Sequence, residues 1–497
     1  MKYLLGFDIG SSSVKATLLE IASGKTIAAA FSPSSEMPMQ SSQTGFAEQD
    51  PDMWWKELVN AVNKLHQQVS FTGEEVAAIG IAYQMHGLVC VGKDLKPLRP
   101  SIIWCDSRAV KIGDKAFEEL GEKHCLKSFL NSPGNFTASK LKWVKKNEPD
   151  IYKNIYKIML PGDYIAMKLT DEPATTISGL SEGIMWNFKK EKIAADLLKY
   201  YGIEQELLSP LVPTFGEQGR LTAAAAGELK LRAGTPVSYR AGDQPNNAFS
   251  LNVSQPGEVA ATAGTSGVVY GVIDKPNYDP LSRVNTFVHV NHSKKDPRYG
   301  VLLCVNGTGI LNSWLRKNFF DGSSYEQINE EASKIVAGSD GLLFYPFGNG
   351  AERVLENADV GGEMKGLQFN RHHRGHIARA AQEGIVFALH YGVEIMKEMG
   401  MEIHTVRAGH ANMFLSDVFS SVFVSSVGCE LELYNTDGAT GAARGAGIGV
   451  GIYRDVTEAY SSMEKIKSYS PDKKNQELYA ATYEKWKKEL KNLENDA

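Results

Sequence analysis

An apolar run, Tyr3–Asp8, ends in a carboxylate and is followed by Gly10, Ser11, Ser12, Ser13 and Lys15. A strand that ends in an aspartate and opens into a Gly-Ser turn gathers backbone N–H groups and hydroxyls around an anion, with the carboxylate beside it to hold a cation. That is chemistry for a metal-bound polyphosphate, although the same residues alone also suit a plain hairpin. A second run, Val259–Ala263, opens into Gly264, Thr265, Ser266 and Gly267. Two hydroxyl turns can clamp one polyphosphate chain from both sides. Asp243 follows the run Val237–Ala241, within Ala241-Gly242-Asp243-Gln244. A carboxylate at a strand end suits a general base, and equally a turn or helix cap. Gln84-Met85-His86-Gly87 and Trp104-Cys105-Asp106-Ser107-Arg108 combine polar hands with aromatic or apolar faces. This suits a polyol, while each segment by itself also reads as core and turn.

Three other patterns carry less. Gly87-x-x-x-x-Gly92-Lys93 is followed by Asp94 and a Pro-bearing stretch that cannot open a helix, so it reads as strand and turn, not a P-loop. Gly445-Ala-Gly-Ile-Gly-Val-Gly is not a dinucleotide fingerprint; its small residues let a helix pack closely. His372, His373 and His376 lack a supporting cysteine or carboxylate and read as a basic loop before a helix.

The elements that must position these residues follow from periodicity. Tyr3–Asp8, Val14–Ile21 and Thr26–Phe31 read as an antiparallel meander. Pro51–Val69 is helical, with Trp54, Leu58, Val62 and Leu65 on one face. Val76–Ala82 and Leu88–Gly92 are strands, and 110–170 is mainly helical. A second unit starts near Gly257 with the strands Val259–Ala263 and Val268–Ile273, whose intervening turn resembles the first. Helices are expected at His376–Met399, Ser416–Val427 and Thr440–Tyr453, with strands at Thr405–Ala408 and Glu430–Tyr434. The tail 473–497 is a charged helix with Leu478, Tyr479, Tyr483, Trp486 and Leu490 on its apolar positions.

The chain has 497 residues, enough for two to four domains, and its 43% hydrophobic and 22% charged residues are those of a globular protein. A formal net charge of −5 offers no field for a nucleic-acid backbone. The five cysteines form no Cys-x-x-Cys pair and no zinc spacing, which fits a reducing cytosol. No secretory leader and no membrane span are expected, so the expected location is cytoplasmic.

Taken together, FDIGSSSVKA, FAEQDPDMWW, IAYQMHG, IIWCDSRA, AGDQ, TAGTSG and DGATGAARGAG, in that order, resemble the FGGY carbohydrate kinases, most closely the xylulokinase branch. The resemblance runs from about residue 3 to about residue 490. It implies an α/β fold of two actin-like, ribonuclease-H-like (ASKHA) ATPase domains with the active site in the cleft between them. The expected boundaries are an N-terminal domain over 1–247, a C-terminal domain over 255–455 and a helical extension over 456–497. It implies ATP and Mg2+ as cofactors, a small-molecule sugar as partner, no nucleic acid or membrane, and a homodimer among the assemblies allowed. By resemblance, Asp243 is the base and Asp8 helps place magnesium and the phosphates, both carboxylates reaching the metal through water. Ser11, Ser12 and Ser13, with Lys15 added, form one phosphate turn, and Gly264, Thr265 and Ser266 the other. Gln84, Met85, His86, Trp104, Asp106 and Gln244 contact the sugar, and Gly309, Gly409 and Asn412 lie on the nucleotide side. The expected reaction is phosphorylation of a ketopentose, D-xylulose to D-xylulose 5-phosphate. The alternatives are gluconate, glycerol or another ketose as acceptor, or a non-catalytic sugar-binding protein on the same scaffold. Three departures from the branch stand out: Gln244-Pro245-Asn246-Asn247 after the base, Ala408-Gly409-His410-Ala411-Asn412 in place of a Gly-rich adenine loop, and Tyr83 before Gln84.

Overall fold

The computed structural model describes residues 1–496. The chain divides into two compact units, each assembled from three separate segments. The first comprises Met1–Ser254, Phe287–Tyr299 and Thr436–Met463; the second comprises Gln255–Thr286, Gly300–Asn435 and the chain from Glu464 onward.

The first unit is built on a five-stranded sheet in the order Val237–Gly242, Val76–Tyr83, Tyr3–Ile9, Val14–Glu20, Thr26–Ser32. The first three strands are parallel, and the last two complete the antiparallel meander. Alternation along Tyr3–Ile9 sends Leu5, Phe7 and Ile9 into one core with Trp54, Leu58 and Val62 of the helix Pro51–Gln68. Leu4 goes to the other face, with Ala78, Ala82 and Tyr239, under Ala442, Ala443 and Ala446 of the helix Gly438–Gly449. That helix lies very close to the sheet. A Cβ on Gly6 or Gly80 would strike the carbonyl oxygen of Ala439 or Ala442, and one on Gly445 would come within 2.5 Å of the Tyr239 ring. The small residues of the Gly-Ala helix therefore serve close packing, as their sequence suggests.

This packing also draws two later segments of the chain into the first compact unit. Thr436–Met463 lies inside the first unit because its glycines and alanines fit the first sheet. Phe287–Tyr299 joins the same unit, where Ser178 Oγ donates to Val288 O at 3.0 Å and Val288 N donates to Ser181 Oγ at 3.0 Å. The tail packs within the second unit. Lys465–Tyr469 adds an unforeseen strand beside Glu430–Tyr434, and Tyr479, Tyr483, Trp486 and Leu490 of the helix Lys473–Asp496 enter the second core, whereas Leu478 is exposed. Filling a core with such side chains is worth about 1.5–3 kcal/mol for each large apolar group.

The second unit repeats the opening hairpin: Val259–Ala263 pairs antiparallel with Gly267–Ile273 around Gly264–Ser266. Val259–Ala263 also runs parallel to Thr405–Gly409, and that strand parallel to Glu430–Tyr434. The helices Arg374–Glu398 and Asp417–Val427 cover this sheet. His373 caps the first of them, its Nδ1 accepting from Gly375 N at 3.2 Å, so the histidine run is a helix start. Among the described residues no cluster of three or more His, Cys, Asp or Glu could hold a metal, and no helix is long and apolar enough to cross a membrane.

Candidate active site

Three neighbouring parallel strands of the first unit end at the same level: Tyr83 pairs with both Ile9 and Gly242. Whatever follows these ends is gathered at one edge, where ligands of parallel sheets bind. Asp8, Gln84–Gly87 and Asp243 are the residues so gathered. Asp8 shares the face of Leu4 and Gly6, which directs it to the start of the helix Gly438–Gly449. A Cβ on Gly438 would run into Asp8 Oδ2, so only glycine fits there. Asp243 is the first residue of a helix, Asp243–Ser250, rather than the last of a strand.

The carboxylates sit close enough to govern each other. Burial, and then the charge of Asp8, push Asp243 up from 3.8 to about 7, against the opposing Gln244 N–H. Burial and Asp437 push Asp8 up to about 6, and Lys15 counters them. Lys15 is ion-paired to Asp437, which also caps the helix by accepting from Thr440 N at 2.8 Å. Asn246 Nδ2 donates to Gly438 O at 2.8 Å, while its Oδ1 is buried without a protein partner. Asp243 is half-buried, so the carboxylate is shielded yet reachable.

This donor set suits magnesium bound through water. Mg2+ keeps several waters and takes one or two carboxylates, and two acids that repel one another are relieved by a dication. Asp8 and Asp243 are the residues that would hold it.

Two further turns of the first unit, Gln84–Gly87 and Trp104–Arg108, carry polar and aromatic side chains. His86 has a left-handed backbone, φ 61°, and its Nδ1 lies 2.9 Å from Glu182 O. The ring packs against Phe136 and Phe287 at centroid distances of 4.8 and 5.4 Å. Met85 and Gln84 are buried, and Gln84 Oε1 has no protein partner. Trp104 is 48% exposed and its Nε1 donates to Ser11 Oγ at 3.3 Å, which joins this turn to the Ser11–Ser13 turn. Asp106 departs from expectation. It is fully buried, and its carboxylate accepts from Arg108 Nε at 2.9 Å, Arg108 Nη2 at 2.7 Å and Ala47 N at 2.6 Å. Its oxygens are thus committed to the Arg108 guanidinium, itself 3.7 Å from the Phe46 ring centroid, and not to a ligand.

In the second unit Gly309 N donates to Gly264 O at 2.9 Å and Ile310 N to Thr265 O at 3.1 Å. The helix Gly309–Phe319 is therefore docked on the second turn, and a Cβ on Gly309 would strike Gly264 O. A Cβ on Gly264 would lie 3.5 Å from Asn412 Nδ2. Thr265 is exposed, and Gly409 ends the strand next to Val259–Ala263. Gly264, Thr265, Gly309 and Asn412 thus converge.

Sequence reasoning missed Asp437, Glu182 and Lys140. Asp437 carries a signal, an acidic cap before a Gly-Ala helix. Glu182 is fully buried, and burial and the charge of Asp243 hold its carboxyl well above the usual range. Nothing local in the sequence marks Glu182 or Lys140.

The N-terminal domain of the FGGY family of carbohydrate kinases matches residues 3–250, and the family's C-terminal domain matches residues 259–448. The chain belongs to the FGGY family of carbohydrate kinases and has its two-domain, actin-like α/β fold. Over 98% of this chain and 96% of the relative, it is 29% identical to a xylulose kinase of Bacillus subtilis. It is 28% identical to a xylulose kinase of Lactococcus lactis over 99% of this chain and 97% of that one. The crystal structure of a ligand-bound xylulose kinase from Lactobacillus acidophilus superposes with a TM-score of 0.90 at 22% identity, covering 99% of this chain and 98% of that one.

Proposed function

We propose that this protein transfers the terminal phosphoryl group of ATP to the terminal hydroxyl of a ketopentose, D-xylulose, giving D-xylulose 5-phosphate and ADP. The observation that carries the reading is the half-buried Asp243 carboxylate, raised to about 7, in register with the Gln84–Gly87 turn. A base whose pKa lies near neutral combines the ionised form with a strong pull on the proton. The similarity to xylulose kinases along the whole chain supports the choice of sugar.

In this mechanism the sugar hydroxyl donates to Asp243. As the oxygen bonds to phosphorus, its proton passes to the carboxylate and ADP leaves with the electrons of the broken P–O bond. Phosphoryl transfer asks mainly for positioning and charge neutralisation. The Ser11–Ser13 turn and Lys15 bind phosphate on the first unit, and Gly264, Thr265 and Ser266 on the second. Gly309, Gly409 and Asn412 border the nucleotide, while Met85, His86, Trp104 and Gln244 orient the sugar. Magnesium, held through water by Asp8 and Asp243, supplies further neutralisation of phosphate charge when bound.

The test is ADP release with D-xylulose, D-ribulose, glycerol and gluconate, each with saturating ATP. A misplaced hydroxyl leaves buried polar groups unpaired, at about 1–3 kcal/mol each. D-Xylulose should therefore exceed its epimer D-ribulose by about tenfold or more in kcat/KM. Faster turnover of glycerol or gluconate overturns the choice of sugar and leaves the kinase. No stimulation by any of them turns the reading to a sugar-binding protein without catalysis.

A further inference from the structure

Lysine is among the residues least often enclosed in a protein interior, yet Lys140 has no exposed surface. Its ammonium donates to the carbonyls of His86 and Ile103, both at 2.9 Å. One carbonyl belongs to the Gln84–Gly87 turn, and the other leads into the Trp104–Arg108 turn. The neighbouring residues act on the same two turns. The Asn135 side-chain amide donates to Asp106 O, Thr137 Oγ1 donates to Gly87 O at 3.2 Å, and the Phe136 ring meets the His86 ring edge to face.

Two features indicate that this arrangement holds something in place. His86 adopts a left-handed backbone, which a residue with a Cβ keeps only when its surroundings hold it there. The ammonium also has no carboxylate to itself. Asp106 and Cys105 draw it towards the charged form and Arg108 opposes them, but Asp106 is already engaged by Arg108. Burial lowers Lys140 to about 7, so the enclosed charge is held at a cost, and its donors go to main-chain carbonyls as charge-assisted bonds.

We propose that Lys140 is a positioning residue for the sugar site: its enclosed ammonium ties the Gln84–Gly87 turn to the Trp104–Arg108 turn and so sets the spacing of the groups that meet the sugar. This rests on the sugar-kinase reading. Removing the ammonium loosens both turns together, although they are distant in sequence, and leaves the second unit's phosphate turn unaffected.

The test uses the full chain carrying Lys140→Met, with ADP release followed against D-xylulose and against ATP separately. The expected result is a sugar KM raised about tenfold or more, with the ATP KM within about twofold. Lys140→Ala should recover activity with n-propylammonium, which replaces the missing atoms, and not with n-propanol. Amide exchange in Lys140→Met should rise in 84–88 and 103–107 and stay unchanged in 259–273. An unchanged sugar KM overturns the proposal. So does a parallel rise of both KM values without rescue by the amine, or faster exchange throughout. Should Lys140→Met fail to fold, Lys140→Ala refolded with the amine decides by the same measures. If wild-type protein makes no ADP with any sugar, the kinase reading falls, and the exchange of the two turns alone decides the role of Lys140.

Discussion

Replacing Asp243 by asparagine separates catalysis from stability in opposite directions. Asparagine keeps the shape of the side chain and cannot take a proton, so kcat should fall by about 10²–10⁴ with the sugar KM little changed. Stability should move the other way. A carboxyl whose folded-state pKa lies above its unfolded value binds more protons when folded, so ionising it destabilises the fold. For Asp243 that cost begins near pH 4, grows as pH rises, and is complete above about 7. A rise from 3.8 to about 7 corresponds to about 4 kcal/mol. The side chain is half-buried and Asp8 shares the repulsion, so screening leaves about 2 kcal/mol. Asp243→Asn should thus melt roughly 2–3 °C above wild type at pH 8, and together with it at pH 4. Coupled ADP release and thermal melts at the two pH values measure both effects on ligand-free protein. Near-wild-type turnover removes Asp243 as the base. A variant less stable than wild type at pH 8 refutes the electrostatic argument even if turnover is lost.

Two other substitutions probe the geometry around this base. Asp8→Asn removes the like charge that raises Asp243, so the acidic limb of kcat/KM in the residual activity should move to lower pH; a limb that stays in place would mean burial alone sets the basicity of Asp243. Gly309→Ala drives a Cβ into Gly264 O and should lift the helix Gly309–Phe319 off the second turn, raising the ATP KM several-fold with the sugar KM unchanged in the same steady-state assay; an unaltered ATP KM would remove that turn from the nucleotide side.

Features that depend on short stretches of chain can be read directly from the residues. The alternation of Tyr3–Ile9, the Gly-Ser and Gly-Thr turns and the Gly-Ala helix were all legible, because side-chain periodicity and turn chemistry act over a few residues. The family resemblance grouped Asp8, Asp243 and the Gln84–Gly87 turn, and the three parallel strands that carry them end in register. Tertiary structure decided what depends on distances between remote segments. Only the fit of Gly438–Gly449 against Gly6 and Gly80 places that helix in the first unit, and with it Asp437 beside Lys15 and Asp8. Asp106 looked like a sugar ligand because its motif is polar, yet Arg108 and Ala47 N–H consume its oxygens. Nothing in the sequence near Lys140 marks it as enclosed. Its burial follows from the two turns that fold over it, and the raised Asp243 follows from the nearness of Asp8 and the loss of water around both. Pattern fixes which face a residue takes on its own element. What that face meets, and how much water stays with it, is set by segments hundreds of positions away.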